Sequence, residues 1–401
     1  MRNTELRNNG ALRFNLFTQI GMNYGKYKIS AIVLLWPIFI NVTAAQASGP
    51  SDALALEQQG KFAEAAEIWR AVIEHNPHDA AAFASLGIDL ARQQKYPDAI
   101  SAYKKAAALD SRIPGLQLNL GLAEFKQGHF EAAIAPFSKA LATDPHNPQA
   151  RVLLGISYYG ERRFAKAVEY LTPAVKEDPT NSQLRQMLAQ SCLQAKNYNC
   201  ALGEFKTILE QDPDSVAVHI LMGEALDGLQ KTDEAIAEFQ AAAKISPREP
   251  DLHFGLGYLY WKSHDYDRAK SEFQAELALD PNHARALAYL GDIALRNNDI
   301  ETAASLLEKS VQQKSDVRIA YLDLGAARMQ RKQFSEALKA LKRAVELDPT
   351  QPDAHYRLAR VYQALGNSAE AQREFSKTRT LHQKADAAVV LTKPTAPVPG
   401  N

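Results

Sequence analysis

The side chains best placed for chemistry are Cys192 and Cys200, the only two cysteines in 401 residues. An oxidising compartment would allow them to form a disulfide. They flank a turn at positions 11 and 19 of a 34-residue repeat, and helix pairing that opposes position 8 to position 20 opposes 11 to 17, which puts the two sulfurs off register. A bridge and a pair of free, half-buried thiols therefore both stay open. Ten histidines are scattered through the chain, and the tight pair is His75 with His78, in Glu74-His75-Asn76-Pro77-His78-Asp79. Two imidazoles without further strong ligands do not make a zinc set, so a polar turn and no metal is expected there. Asp212-Pro213-Asp214 has the look of a metal-and-sugar motif but coincides with an ordinary Asp-Pro turn. Lys104-Lys105 and Lys342-Arg343 are short basic steps, read as solvated helix faces. No Gly-rich phosphate loop, nucleophile elbow or zinc-hydrolase signature occurs. The expectation is no catalytic residue, no enzyme activity and no cofactor.

The elements that would carry these residues are set by a repeat. Alanine recurs every 34 residues at Ala65, Ala99, Ala133, Ala167, Ala201, Ala235, Ala269, Ala303, Ala337 and Ala371. A fixed period of this size means stacked supersecondary units and no single globular core, so function is sought on a long surface. Residues 114–147, PGLQLNLGLAEFKQGHFEAAIAPFSKALATDPHN, show the unit most clearly. Two helical stretches are separated by Gln127-Gly128-His129. Pro114 suits a first helical turn, Gly128 a left-handed helix end, and Pro145 a stop. Asn147, Asp79, Asn181 and Ser215 are expected helix caps.

Position 8 of each copy is small (Gly87, Gly121, Gly155, Ala189, Gly223, Gly257, Gly291, Gly325, Ala359) and is expected to face the recurring alanine at position 20. Glycine inside a helix costs about 1 kcal/mol against alanine, so its recurrence needs a close helix approach to explain it. Leu120, Leu154 and their counterparts flank it on the first helix, and Trp69, Tyr103, Phe137, Phe205, Phe239, Phe273 and Phe375 recur on the second.

Together these residues resemble the tetratricopeptide repeat, over residues 51 to about 382. The resemblance implies an all-α fold, a right-handed α-solenoid of ten antiparallel helix pairs, with the first helix of each pair lining a concave groove. Ser111 and Ser315 replace the usual closing proline, and the first copy begins raggedly at Asp52. Residues 48–382 are thus read as one elongated array of ten repeats, and 383–401 as a helix extension (Gln383 to Leu391) followed by a disordered Pro-rich tail, Thr392 to Asn401.

Helix pairing leaves positions 2, 5, 9 and 12 of the first helices free. In repeats 3 and 4 these are Leu118, Leu122, Phe125, Val152, Ile156 and Tyr159. In repeats 7 and 8 they are Phe254, Tyr258 and Trp261, with Tyr289 alongside. Gln183, Gln186, Gln190, Glu224 and Asp227 form a polar step between the two stations. An exposed aromatic patch marks an interaction surface, so a protein or peptide segment is expected to dock in the groove. The aliphatic residues at positions 5 and 9 are open to a second reading, as core packed against the neighbouring repeat, whereas Phe125, Tyr159, Tyr258 and Trp261 are read as exposed. Positions 5 and 9 carry no lysine or asparagine, which argues against capture of a C-terminal carboxylate as in some relatives of this family.

The N-terminus reads as an address. Ile29–Val42 is an apolar run preceded by Lys26 and Lys28 and followed by Thr43-Ala44-Ala45-Gln46-Ala47-Ser48, the pattern of a secretory signal peptide over residues 1–47 cleaved after Ala47. Met22 would give a signal of conventional length, and an uncleaved anchor is the alternative. With 46 basic and 46 acidic side chains the charge balances overall, which gives no reason to expect nucleic acid. About 20 residues follow the repeats, too few for a catalytic fold. The functional expectation is a scaffold of the bacterial cell envelope, periplasmic or secreted, that binds a protein segment during complex assembly or export. An accessory factor of glycan synthesis or secretion is the second reading.

Overall fold

The computed structural model describes residues 49–392, with side chains through 387. The signal segment and the tail beyond Thr392 lie outside the described residues. Within them the chain is all-α, with twenty helices and no strand, arranged as ten helical hairpins. The hairpins fall into two compact units divided between Pro213 and Asp214.

The N-terminal unit holds α1 (Pro50–Gln58), α2 (Phe62–His75), α3 (Ala80–Arg92), α4 (Tyr96–Leu109), α5 (Leu116–Lys126), α6 (Phe130–Thr143), α7 (Pro148–Gly160), α8 (Phe164–Glu177), α9 (Ser182–Gln194) and α10 (Tyr198–Gln211). The C-terminal unit holds α11 (Val216–Gly228), α12 (Thr232–Ile245), α13 (Leu252–Lys262), α14 (Tyr266–Leu279), α15 (Ala284–Arg296), α16 (Ile300–Gln313), α17 (Arg318–Gln330), α18 (Phe334–Leu347), α19 (Pro352–Ala364) and α20 (Ser368–Thr392). In each unit a helix packs on its hairpin partner and on the next hairpin, the pattern of an α-solenoid. Helix α20 runs through the segment 383–391 without a break.

The recurring alanines are buried throughout, and a Cβ on Gly223 would stand 3.3 Å from the Ala235 carbonyl, but the atoms nearest to position 8 belong to position 24. A Cβ on Gly87, Gly121 or Gly257 would press into the ring of Tyr103, Phe137 or Phe273, and one on Gly291 or Gly325 into Leu307 or Leu341. The missing side chain thus makes a hole for position 24 of the partner helix, and burying that ring or leucine contributes about 1.5–3 kcal/mol per copy.

Turn chemistry recurs as strictly. Gly60, Gln94, Gly128, Arg162, Lys196, Gln230, His264, Asn298, Lys332 and Gly366, one per hairpin, all have φ between 57° and 78°. Only three are glycine, so most copies bear the cost of a left-handed residue with a side chain. Asp79, Asn147 and Asn181 cap α3, α7 and α9 by accepting N–H bonds from Ala82, Ala150 and Leu184. Ser215 makes no side-chain cap, and Pro114 sits in the turn before α5, which starts two residues later behind a left-handed Gly115.

Three of the scattered histidines share one job. His219, His253 and His355 occupy position 4 of their copies, and their Nδ1 atoms meet Glu238, Glu272 and Glu374 at 2.7, 2.7 and 2.5 Å. Arg185 meets Glu204 in the same way. The far side of His253, His355 and Arg185 reaches the carbonyl of Pro247, Pro349 or Pro179. One side chain thereby ties the Asp-Pro or Ser-Pro turn to the second helix.

Cys192 on α9 and Cys200 on α10 are joined by a disulfide across the hairpin turn, with Cα atoms 5.7 Å apart. That separation is ordinary for a bridge, so the register that puts the sulfurs off line does not hold at this turn.

Candidate functional site

The free faces of the first helices differ between the two units. In the N-terminal unit, position 9 carries Ile88, Leu122 and Ile156 on α3, α5 and α7. Ile88 is 37% exposed, and Leu122 and Ile156 are half-buried. Leu118, Val152, Phe125 and Tyr159 flank them, also half-buried. Phe125 rests edge-on against Phe130 and Phe137 at 5.3 and 6.4 Å, so part of its ring is packing. Tyr159 leans on Phe164 and donates its hydroxyl to Gln190 Oε1 at 2.5 Å, and burial holds its phenol above the usual range. Gln183 and Gln186 are exposed. The first apolar station is therefore half-open surface, with Leu118, Leu122 and Phe125 packed on the buried cluster of Phe137 and Leu154. Ile88, not singled out in the sequence, extends it; it stands one 34-residue step before Leu122.

The aromatic station in the C-terminal unit is different. Phe254 is only 2% exposed and Tyr258 only 7%, which corrects the expectation of an open patch. Gly255 carries no side chain, so the Phe239 ring of α12 lies directly on α13. With α13 drawn in, Phe254 packs on Phe273 and Tyr289, both at 5.8 Å, under the Arg285 guanidinium at 4.4 Å. Tyr258 stacks on Trp261 at 6.3 Å and meets Tyr289 edge-on at 5.8 Å. Trp261 and Tyr289 keep some exposure. Burial raises the phenols of Tyr258 and Tyr289, with Asp227 and Tyr258 adding to it respectively.

Around these rings lies a line of charges, of which the sequence singled out only Asp227 and Glu224. The Trp261 indole N–H donates to Asp292 Oδ2 at 2.6 Å, and Arg296 Nε donates to the same oxygen at 2.6 Å. Trp261 reaches Asp292 over the same 31-residue step by which Tyr159 reaches Gln190, so position 12 of one copy bonds position 9 of the next. Arg357 pairs with Asp323, which is 2% exposed; burial raises that carboxyl and Arg357 draws it back. Lys262 pairs with Asp227. Glu224, on α11, makes no such pair: its Oε1 is shut from solvent with no hydrogen-bond partner, and burial, then Asp227, pushes its carboxyl up to about 8.

Asp251, Glu276 and His283 bring three ligand-type atoms within 4.8 Å. Each already has work. Glu276 accepts the backbone N–H groups of Asp251 and Phe254 at 3.2 and 3.0 Å, which caps α13. His283 accepts from Ala286 N–H through Nδ1 and meets Asp251 Oδ1 through Nε2 at 2.7 Å, and Arg285 adds a positive charge at 2.9 Å. The cluster is a double helix cap. His75 bonds its own helix at the Ala71 carbonyl, and the His78 backbone N–H donates to Asn76 Oδ1.

Family models described as TPR repeat match residues 228–263 and 325–366. Models described as tetratricopeptide repeat match 124–190 and 158–225, 52–112 and 254–318, and 353–384. No curated protein matches the chain. Among solved structures, a MamA fragment (41-end) from Desulfovibrio magneticus RS-1 is 24% identical, with 42% of this chain and 96% of that one covered and a TM-score of 0.37. Yeast Tom70 is 14% identical, covering 85% and 95%, with a TM-score of 0.41. PilW, a type IV pilus biogenesis factor, is 19% identical, covering 50% and 93%, with a TM-score of 0.44.

Proposed function

The chain belongs to the tetratricopeptide-repeat family and is a protein-interaction scaffold, and from that premise we propose that it works without catalysis, docking a segment of another protein on the first helices of its N-terminal unit. The observation that carries this reading is the row Ile88, Leu122 and Ile156, which presents apolar side chains at the same register on three successive hairpins. A row with such spacing fits the periodic apolar side chains of one extended or helical partner segment. We also place the protein in the bacterial envelope, exported by its N-terminal segment, and assign it to complex assembly or export. The disulfide of α9 and α10 supports an oxidising compartment.

A photo-crosslinking residue at position 88, followed by mass spectrometry of envelope extracts, tests the docking reading. A single protein adduct that disappears in an Ile156→Glu variant of unchanged helicity is expected. Adducts only to glycan or lipid, or capture indifferent to Ile156→Glu, would overturn it. N-terminal sequencing of the exported chain should begin at Ser48.

A further inference from the structure

Among the described residues, the carboxylates carried by the first helices of the C-terminal unit, or at their N-caps, all hold a cation except one. Asp227 has Lys262, Asp251 has Arg285, Asp292 has Arg296, Asp323 has Arg357 and Asp353 has Arg318. Glu224 has none, and its Oε1 accepts no hydrogen bond. It stands at position 9 of α11, the register that Ile88, Leu122 and Ile156 occupy in the other unit.

Lys262 of α13 is committed to Asp227, with only 9% of its side chain exposed, and on α12 Glu238 is occupied by the His219 imidazole. Asp227 on the same helix adds negative charge. Glu224 as a whole is half-buried, but its Oε1 is shut from solvent, and a carboxyl so placed is costly to ionise unless it is paired. We infer that Glu224 is the receptor for a basic side chain, lysine or arginine, of a polypeptide segment that docks on the first helices of the C-terminal unit. This rests on the docking function proposed above, taken to that unit's own first helices, and names the chemistry of the partner. An acidic or phosphorylated segment brings no donor of positive charge to this point, and an apolar one leaves the carboxyl unpaired.

Without a cation Glu224 holds its proton at neutral pH, since its carboxyl stands at about 8. The arriving ammonium takes the place of that proton, which leaves for solvent, so binding releases a proton and strengthens as pH rises toward 8.

Two experiments separate the receptor from the docking function. In the first, the carboxyl carbon resonance of Glu224 is titrated with and without n-butylammonium, a lysine side-chain mimic, with n-butanol as control. A midpoint near 8 that n-butylammonium lowers by about one pH unit or more, and n-butanol leaves in place, is expected. An ordinary midpoint near about 4.3, or equal response to the alcohol, overturns the inference. In the second, two peptide libraries identical but for lysine or norleucine at one position are bound to the wild type and to Glu224→Gln, which keeps shape and removes the charge. The lysine library should bind the wild type about 30-fold better, with that advantage gone in Glu224→Gln. Equal binding of both libraries leaves docking standing and overturns the basic side chain. No binding of either, with the butylammonium effect intact, overturns docking and leaves the receptor.

Discussion

Asp89 on α3 has no exposed surface, and neither of its carboxylate oxygens has a hydrogen-bond partner. Burial pushes its carboxyl up to about 7, and the Glu57 carboxylate of α1 adds to the rise; Tyr103 of α4 lies in the same field, with Arg92 acting on it. In the unfolded chain Asp89 loses its proton near pH 4, whereas the folded unit keeps it to about pH 7. Between those values the native state binds the extra proton, so stability falls as pH rises from about 4 to about 7 and is level above. A gap of about three units corresponds to about 4 kcal/mol lost across that window. Asp89→Asn removes the ionisation and should be more stable than the wild type at pH 8, by up to that amount, with the advantage vanishing at pH 4. Because repeat arrays open locally, the assay is urea unfolding read by pulse-labelling hydrogen exchange in peptides from α1 to α4. A wild-type midpoint for those peptides that does not change between pH 5 and pH 8, or an asparagine variant no more stable at pH 8, would refute the reasoning.

Three further outcomes are expected. Gly121→Val should destabilise α5 and α6 by about 1–3 kcal/mol through overpacking, since a Cβ there stands 2.6 Å from Phe137 Cδ1; a thermal melt no different from wild type would count against the hole-and-ring account. Gln94→Gly should stabilise the second hairpin by about 1 kcal/mol, because Gln94 is held at φ 61° in an exposed turn; a loss of stability in urea would show that the turn side chain contributes more than its strain costs. Reducing the Cys192–Cys200 bridge, which closes a loop of 8 residues, should lower the stability of the fifth hairpin by about 2.5 kcal/mol. Denaturing thiol counts should find no free thiol before reduction, and two afterwards.

The hairpins, their turns at Gly128 and its equivalents, and the caps at Asp79, Asn147 and Asn181 were readable because each depends on residues close in sequence. The apolar row Leu122 and Ile156 was readable for the same reason, as it follows from the register of one helix. What escaped depends on a neighbouring helix. Position 8 was paired with the alanine at position 20 because both are small, but the larger side chain that comes nearest, the ring or leucine at position 24, was missed. Phe254 and Tyr258 looked open because nothing on α13 covers them; Gly255 lets α12 close in, and Tyr289 comes from α15. His219, His253 and His355 looked scattered until their shared position 4 met glutamates 19 residues on. The unpaired state of Glu224 could not be read at all, since it required knowing that Lys262 is spent on Asp227.

The glycine hole and the ring that fills it belong to the same 34-residue copy in Gly87 with Tyr103, Gly121 with Phe137 and Gly257 with Phe273. Lock and key are thus inherited together. A gene segment duplicated or dropped in whole copies carries a finished hairpin with it, and only the seams between neighbours have to be refitted. Such a chain can change its length by single steps without losing the ability to fold, and its number of docking positions becomes a quantity that selection can adjust one copy at a time.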